Sequence, residues 1–280
     1  MRNSLIKYFS LTYAAAWICW LASREISSGT VPGSPRAAFA GALFLLGVFS
    51  PGLIALVLTE RADGRGATRA LFSRVFKWDV GLRWYLFAIA YMPTVKLLVA
   101  LAYRALIGAW PRFGPEAWYV MAGAILISTW AQAGEEIGWR GYALPRLSDR
   151  FGLAFASIIL GVIWASWHIP IFFFRESDLF GQSFPLYLLE VIPISIAMAW
   201  LYWRTGGSLL LVMLLHAAVN NTKDIVPSAS PPATTSFTFS ASLVGWLTVA
   251  LLWIPAGYFI LQMRRVRMLA SDARASDVLR

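Results

Sequence analysis

The stretch Trp118–Gly138, WYVMAGAILISTWAQAGEEIG, decides the fold. From Trp118 to Gly134 it carries no charged residue. As a helix, its 21 residues reach about 31 Å at 1.5 Å per residue. That matches the ~30 Å hydrocarbon core of a bilayer. Two adjacent carboxylates, Glu135 and Glu136, then stand near its end. Ionisable groups inside a span are costly, so they mark a candidate functional site.

Seven further apolar stretches flank this one: Tyr8–Leu21, Ala38–Leu58, Trp84–Ile107, Phe155–Phe174, Phe184–Tyr202, Ser208–Asn221 and Ser242–Met263. The first and seventh are short and have room to extend into their flanks. Of the 280 residues, 59% are hydrophobic and 14% charged, and mean hydropathy is +0.63. A soluble protein carries about 25% charged residues, so this chain needs lipid as its solvent. The predicted class is all-α, a polytopic transmembrane bundle of about eight helices forming a single integral membrane domain over residues 1–280. There is no internal repeat. The only cysteine, Cys19, rules out a disulfide framework and a thiolate metal site. The first apolar stretch reads as a retained helix, since no cleavage site and soluble domain follow it.

The net charge of +10 is read as topology-setting, with the lipid bilayer as its partner and no nucleic acid. With the N-terminus inside, 17 of the 24 basic residues fall in cytoplasmic segments, 6 fall outside, and Lys96 lies within the third span. The asymmetry predicts both termini in the cytoplasm, of the inner (plasma) membrane if the host is bacterial. Glu60–Arg83 reads either as a basic connection or as a partly interfacial amphipathic helix. Ile225–Phe237, rich in Pro, Ser and Thr, reads as a flexible external loop. Pro51, Pro93, Pro170, Pro193 and Pro255 are expected to interrupt spans.

Three polar clusters lie within residues 130–221. In the first, Glu136 and Arg140 are i and i+4 and share a helical face, so they can pair. Glu135 is rotated about 100° away. This divides the roles: a structural Glu136–Arg140 ion pair, and Glu135 left for chemistry. In the second, Trp164 and His168 share a face, and Pro170 frees backbone carbonyls just beyond. In the third, His216 and Asn220 lie one turn apart. Each cluster alone has a plain packing explanation, an interfacial cap or an interhelical hydrogen bond. Together they are harder to dismiss, because both histidines of the chain fall mid-span in such clusters. A carboxylate, two imidazoles and an amide suit hydrolysis of an acyl bond. Glu135, His168 and His216 would also suit zinc, although the His-Glu-x-x-His pattern is absent. Ser166 and Ser208 lack a nucleophile elbow.

Glu135-Glu136-x-x-x-Arg140, Trp164-x-x-x-His168 and His216-x-x-x-Asn220, in that order on three spans, resemble the three motifs of the CPBP intramembrane proteases. That family includes the CAAX prenyl proteases of the Rce1 type and bacterial Abi-type proteins. Gly141-Tyr142 and Leu144 continue the first motif, and Lys77–Tyr85 resembles the family's basic loop. The second motif usually begins with Phe, where this chain has Trp164. The resemblance runs from about Ala37 to Asn221. It implies an eight-helix bundle with a water-filled cavity opening toward the cytosol. It also implies an intramembrane endopeptidase acting on a membrane-proximal protein or peptide, prenylated where the host makes such proteins. In that reading Glu135 activates water, His168 positions it, and His216 and Asn220 stabilise the oxyanion. Glu136, Arg140 and Trp164 support the site. The family has been called metalloprotease, and a metal-free glutamate mechanism fits the same residues. A non-catalytic membrane scaffold on this fold is the alternative. A transporter would need inverted repeats and matched broken helices, and neither is evident.

Overall fold

The computed structural model describes residues 2–228, 237, 239 and 241–267. The described residues are helical with no strand, as expected of a polytopic bundle. Six helical stretches are long and apolar enough to cross a membrane. They contain α1 (Arg2–Ser27), α2 (Pro35–Ser73), α3 (Leu82–Ile107), α7 (Leu153–Trp167), α8 (Phe184–Arg204) and α10 (Leu243–Met263). Two shorter helices, α4 (Trp118–Ala131) and α9 (Leu209–Thr222), have 14 residues each. Alone each would reach only about 21 Å. α9 compensates by burial: from Leu211 to Val219 every residue is buried, so its polar groups meet protein, not lipid.

Helix starts follow capping chemistry. Ser34, Ser183, Ser208 and Ser242 each accept a hydrogen bond from a backbone N–H in the first turn of the helix that follows. Proline follows the cap directly or one residue later in α2 and α8.

Several boundaries depart from the sequence reading. The second span does not end at Leu58. Its helix runs on to Ser73 with a kink at Gly64, whose φ of 82° only glycine adopts easily. Leu71 and Val75 beyond the kink are buried, so the Glu60–Arg83 segment is helical as far as Ser73 and meets the bundle through these two residues, with most of its other side chains exposed. The fourth span is not one α-helix. After α4 come a turn at Gln132, a short α5 (Ala133–Glu136), a π-helical turn at Ile137–Ala143 and α6 (Leu144–Phe151). Four of the five prolines expected to interrupt spans lie inside continuous helices. Neighbouring helices re-satisfy the freed carbonyls in such packing. Only Pro170 coincides with a helix end, where α7 gives way to a 3₁₀ turn at Ile169–Phe173. Most of the predicted external loop, residues 229–236, lies outside the described residues.

Two ends of the bundle can be told apart by their contacts. At one, Lys77 Nζ donates to Gly206 O, Arg74 Nη1 donates to Tyr202 Oη, and Leu153 N donates to Val266 O. At the other, Arg36 Nε donates to Ile26 O, Gly114 N donates to Ile225 O, and Lys223 pairs with Asp178. The helices run between these two ends.

Candidate active site

α2 is what brings the glutamate segment into the bundle. A methyl group on Gly134 would lie 2.8 Å from the Phe49 ring, and one on Gly52 would lie 2.7 Å from Gly134 O. On Gly138 it would lie 2.5 Å from the Pro51 carbonyl. The glycines bracketing Glu135 and Glu136 therefore let two backbones touch, as small residues do between membrane helices. The π-helical turn then begins directly after Glu136. Such turns recur at functional sites.

The two glutamates play separate parts. Glu136 accepts from Arg140 Nη1 at 2.8 and 3.0 Å, and both side chains are fully buried. His216 Nδ1 also lies 2.8 Å from Glu136 Oε1. Arg140 Nε and Nη2 have no hydrogen-bond partner. The guanidinium instead sits 4.4 Å from the Trp164 ring centroid, in cation–π range. Glu135 Oε2 accepts from the indole N–H of Trp164 at 2.7 Å and of Trp139 at 3.3 Å. Both bonds fall on one oxygen, which leaves Oε1 to the cavity that Glu135 lines.

His168 caps the end of α7, and its Nδ1 lies 2.9 Å from Trp164 O. A carbonyl can only accept, so Nδ1 carries the proton and neutral Nε2 holds a lone pair. Trp167, Trp164 and Tyr187 surround the ring edge-on, with centroids 4.8 to 6.1 Å away. His216 packs edge-on against Trp164 at 5.1 Å. With Nδ1 taken by Glu136, its Nε2 is the atom left for the cavity. Asn220, one turn further along α9, is exposed where it lines the same space.

All four predicted catalytic side chains, Glu135, His168, His216 and Asn220, line one cavity of about 840 Å³. Trp164 does more than the predicted support: it touches Glu135, Arg140 and His216 at once. Three cavity or site residues escaped the sequence reading. Trp139 stands four residues after Glu135, a spacing that should have been read. Glu190 is an ionisable residue inside a span and met the same criterion as the glutamate pair. Its Oε1 is buried with no partner. Tyr187 had no signal, since an aromatic at the head of an apolar helix is ordinary.

A metal set is a poor fit. Among the described residues no group of three or more His, Cys, Asp or Glu side chains converges as ligands. The hydrogen bonds at Glu135 Oε2, His168 Nδ1 and His216 Nδ1 leave Oε1 and both Nε2 atoms to the cavity. Among the described residues the metalloprotease reading finds no ligand cluster to support it.

The cavity also sets two expectations against each other. Ser27, Thr30, Pro32, Glu176, Asp178 and Lys223 line it, all at the end away from Lys77, Gly206 and Val266. No residue of 60–83, 139–152, 203–208 or 263–267 lines it. The start of α1 and the end of α10 lie at the far end, so with those helix ends in the cytoplasm the cavity opens away from it.

Residues 115–222 match the family model described as type II CAAX prenyl endopeptidase Rce1-like. The chain is also similar to "CAAX prenyl protease 2" of Methanococcus maripaludis, with 26% identity over 237 residues. That alignment covers 78% of this chain and 83% of the archaeal protein. The matched segment contains all three polar clusters.

Proposed function

We propose that this chain, an integral membrane peptidase whose residues 115–222 match the Rce1-like type II CAAX prenyl endopeptidase model, cleaves a peptide bond with water activated by Glu135. The supporting observation is the free Oε1 of Glu135 in the cavity shared with His168, His216 and Asn220. Glu135 Oε1 takes a proton from water as the oxygen attacks the scissile carbonyl. Nε2 of His168 accepts the water's other hydrogen and aims it. The developing oxyanion receives a hydrogen bond from the Asn220 amide. His216, held through Nδ1 by Glu136, presents Nε2 to the same space, and a proton on that nitrogen supplies a second hydrogen bond. Glu135 then returns the proton to the leaving amine as the carbon–nitrogen bond breaks. The indole donors on Oε2 hold the carboxylate in place without occupying its reactive oxygen. The substrate class is a membrane-proximal peptide segment.

The test uses purified protein in lipid nanodiscs and a quenched fluorescent peptide library. Loss of a general base costs about 10²- to 10⁴-fold, so Glu135→Gln is expected to lose at least 100-fold in turnover while melting like wild type. Glu136→Ala is expected to lower the melting temperature instead, because it strands a buried Arg140. Undiminished turnover by Glu135→Gln sinks the proposal.

A further inference from the structure

We infer that the cavity opens on the extracytoplasmic side of the membrane. Its substrate would then be a peptide segment displayed on that side, as part of an exported peptide or a membrane protein's external flank. The inference takes the peptidase reading above as its premise for the word substrate, but the orientation itself is independent of it.

Two observations combine. The first is geometric. The cavity's rim is the α1–α2 turn with Ser27 and Thr30, the segment after α7 with Glu176 and Asp178, and Lys223 past the end of α9. The opposite end of the bundle holds the start of α1, the 74–77 turn, residues 142–152 and the end of α10. The second is electrostatic. Among the described residues, 15 basic residues belong to segments at that opposite end and 6 to segments at the rim. Arg140 is sealed inside the bundle with Glu136. Setting it aside leaves 14 against the same 6. Lysine and arginine bias holds for short connections next to spans, and every connection in this chain is short. The basic end belongs in the cytoplasm, where anionic headgroups and the membrane potential favour it. The rim then faces outward.

The consequence for chemistry is specific. A prenylated C-terminus made in the cytosol would reach the basic end of the bundle, away from the residues that rim the cavity. A segment delivered across the membrane meets the rim directly, and Glu135 lines the same cavity.

The experiment exploits the single cysteine. In a Cys19→Ser background, Ser27→Cys places a thiol at the rim and Ser73→Cys places one at the basic end, both at exposed positions. Intact cells are treated with a membrane-impermeant charged maleimide, then again after permeabilisation. The expected result is labelling of Ser27→Cys in intact cells and of Ser73→Cys only after permeabilisation. Labelling of Ser73→Cys alone in intact cells, or of both equally, overturns the inference. Thr30→Cys repeats the rim measurement should Ser27→Cys fail to accumulate. Labelling does not depend on turnover, so a failed orientation and a failed peptidase reading separate cleanly. The second is read by Glu135→Gln in the same background.

Discussion

Trp164 carries more of the site than any residue except the glutamates. One indole donates to Glu135, offers its face to Arg140 and walls His216. These roles can be separated. Trp164→Phe keeps a ring beneath the guanidinium and removes only the N–H. A hydrogen bond to a charged group is worth about 1.5–3 kcal/mol, and Trp139 still serves the same oxygen. Reduced but measurable turnover with near-normal stability is expected of Trp164→Phe, whereas Trp164→Ala loses both. Equal behaviour of the two variants in parallel turnover and melting assays contradicts this separation. The division of labour between Glu135 and Glu136 was legible from helical phase alone, because a 100° offset between neighbours is a property of any helix. The bond from His216 to Glu136 was not. It joins residues 80 apart in sequence, and nothing local to either encodes it.

At the scale of elements, the glycines explain why the glutamate segment can sit against α2. Gly138→Ala would drive a methyl group into the Pro51 carbonyl. Overpacking of this kind costs about 1–3 kcal/mol, and a lowered melting temperature is expected. Gly123→Ala, on the open flank of α4, meets nothing within 4 Å. There alanine gains up to about 1 kcal/mol of helix propensity, so melting is expected to hold or rise. A reversed order in the two melting curves removes the packing account. Hydropathy showed where helices exist, because apolar length is a local signal. It did not show the π-helical turn or the extension of α2 past Leu58. Both depend on what the segment packs against: Leu71 and Val75 look like loop residues until the bundle buries them. The prolines misled for the same reason, since a helix clasped by neighbours tolerates a ring that would break it in water.

For the molecule as a whole, the proposed mechanism uses protein groups alone. Exhaustive dialysis of the active protein against a chelator is expected to leave turnover unchanged. Restoration by zinc of activity lost in that treatment would require another arrangement of Glu135, His168 and His216. The buried Glu136–Arg140 pair has one more consequence, which concerns the order in which the chain is made. His216 emerges 80 residues after Glu136, roughly 4–16 s later at 5–20 residues per second. During that interval the segment enters the bilayer without its eventual partners from α7 and α9. Arginine or aspartate at a span centre costs about 2.5–3.5 kcal/mol on insertion. A counter-ion one turn away within the same segment travels with its partner and is present from the start. The spacing of four thus lets a span bearing three charges be delivered to the membrane first and completed by its histidine afterwards.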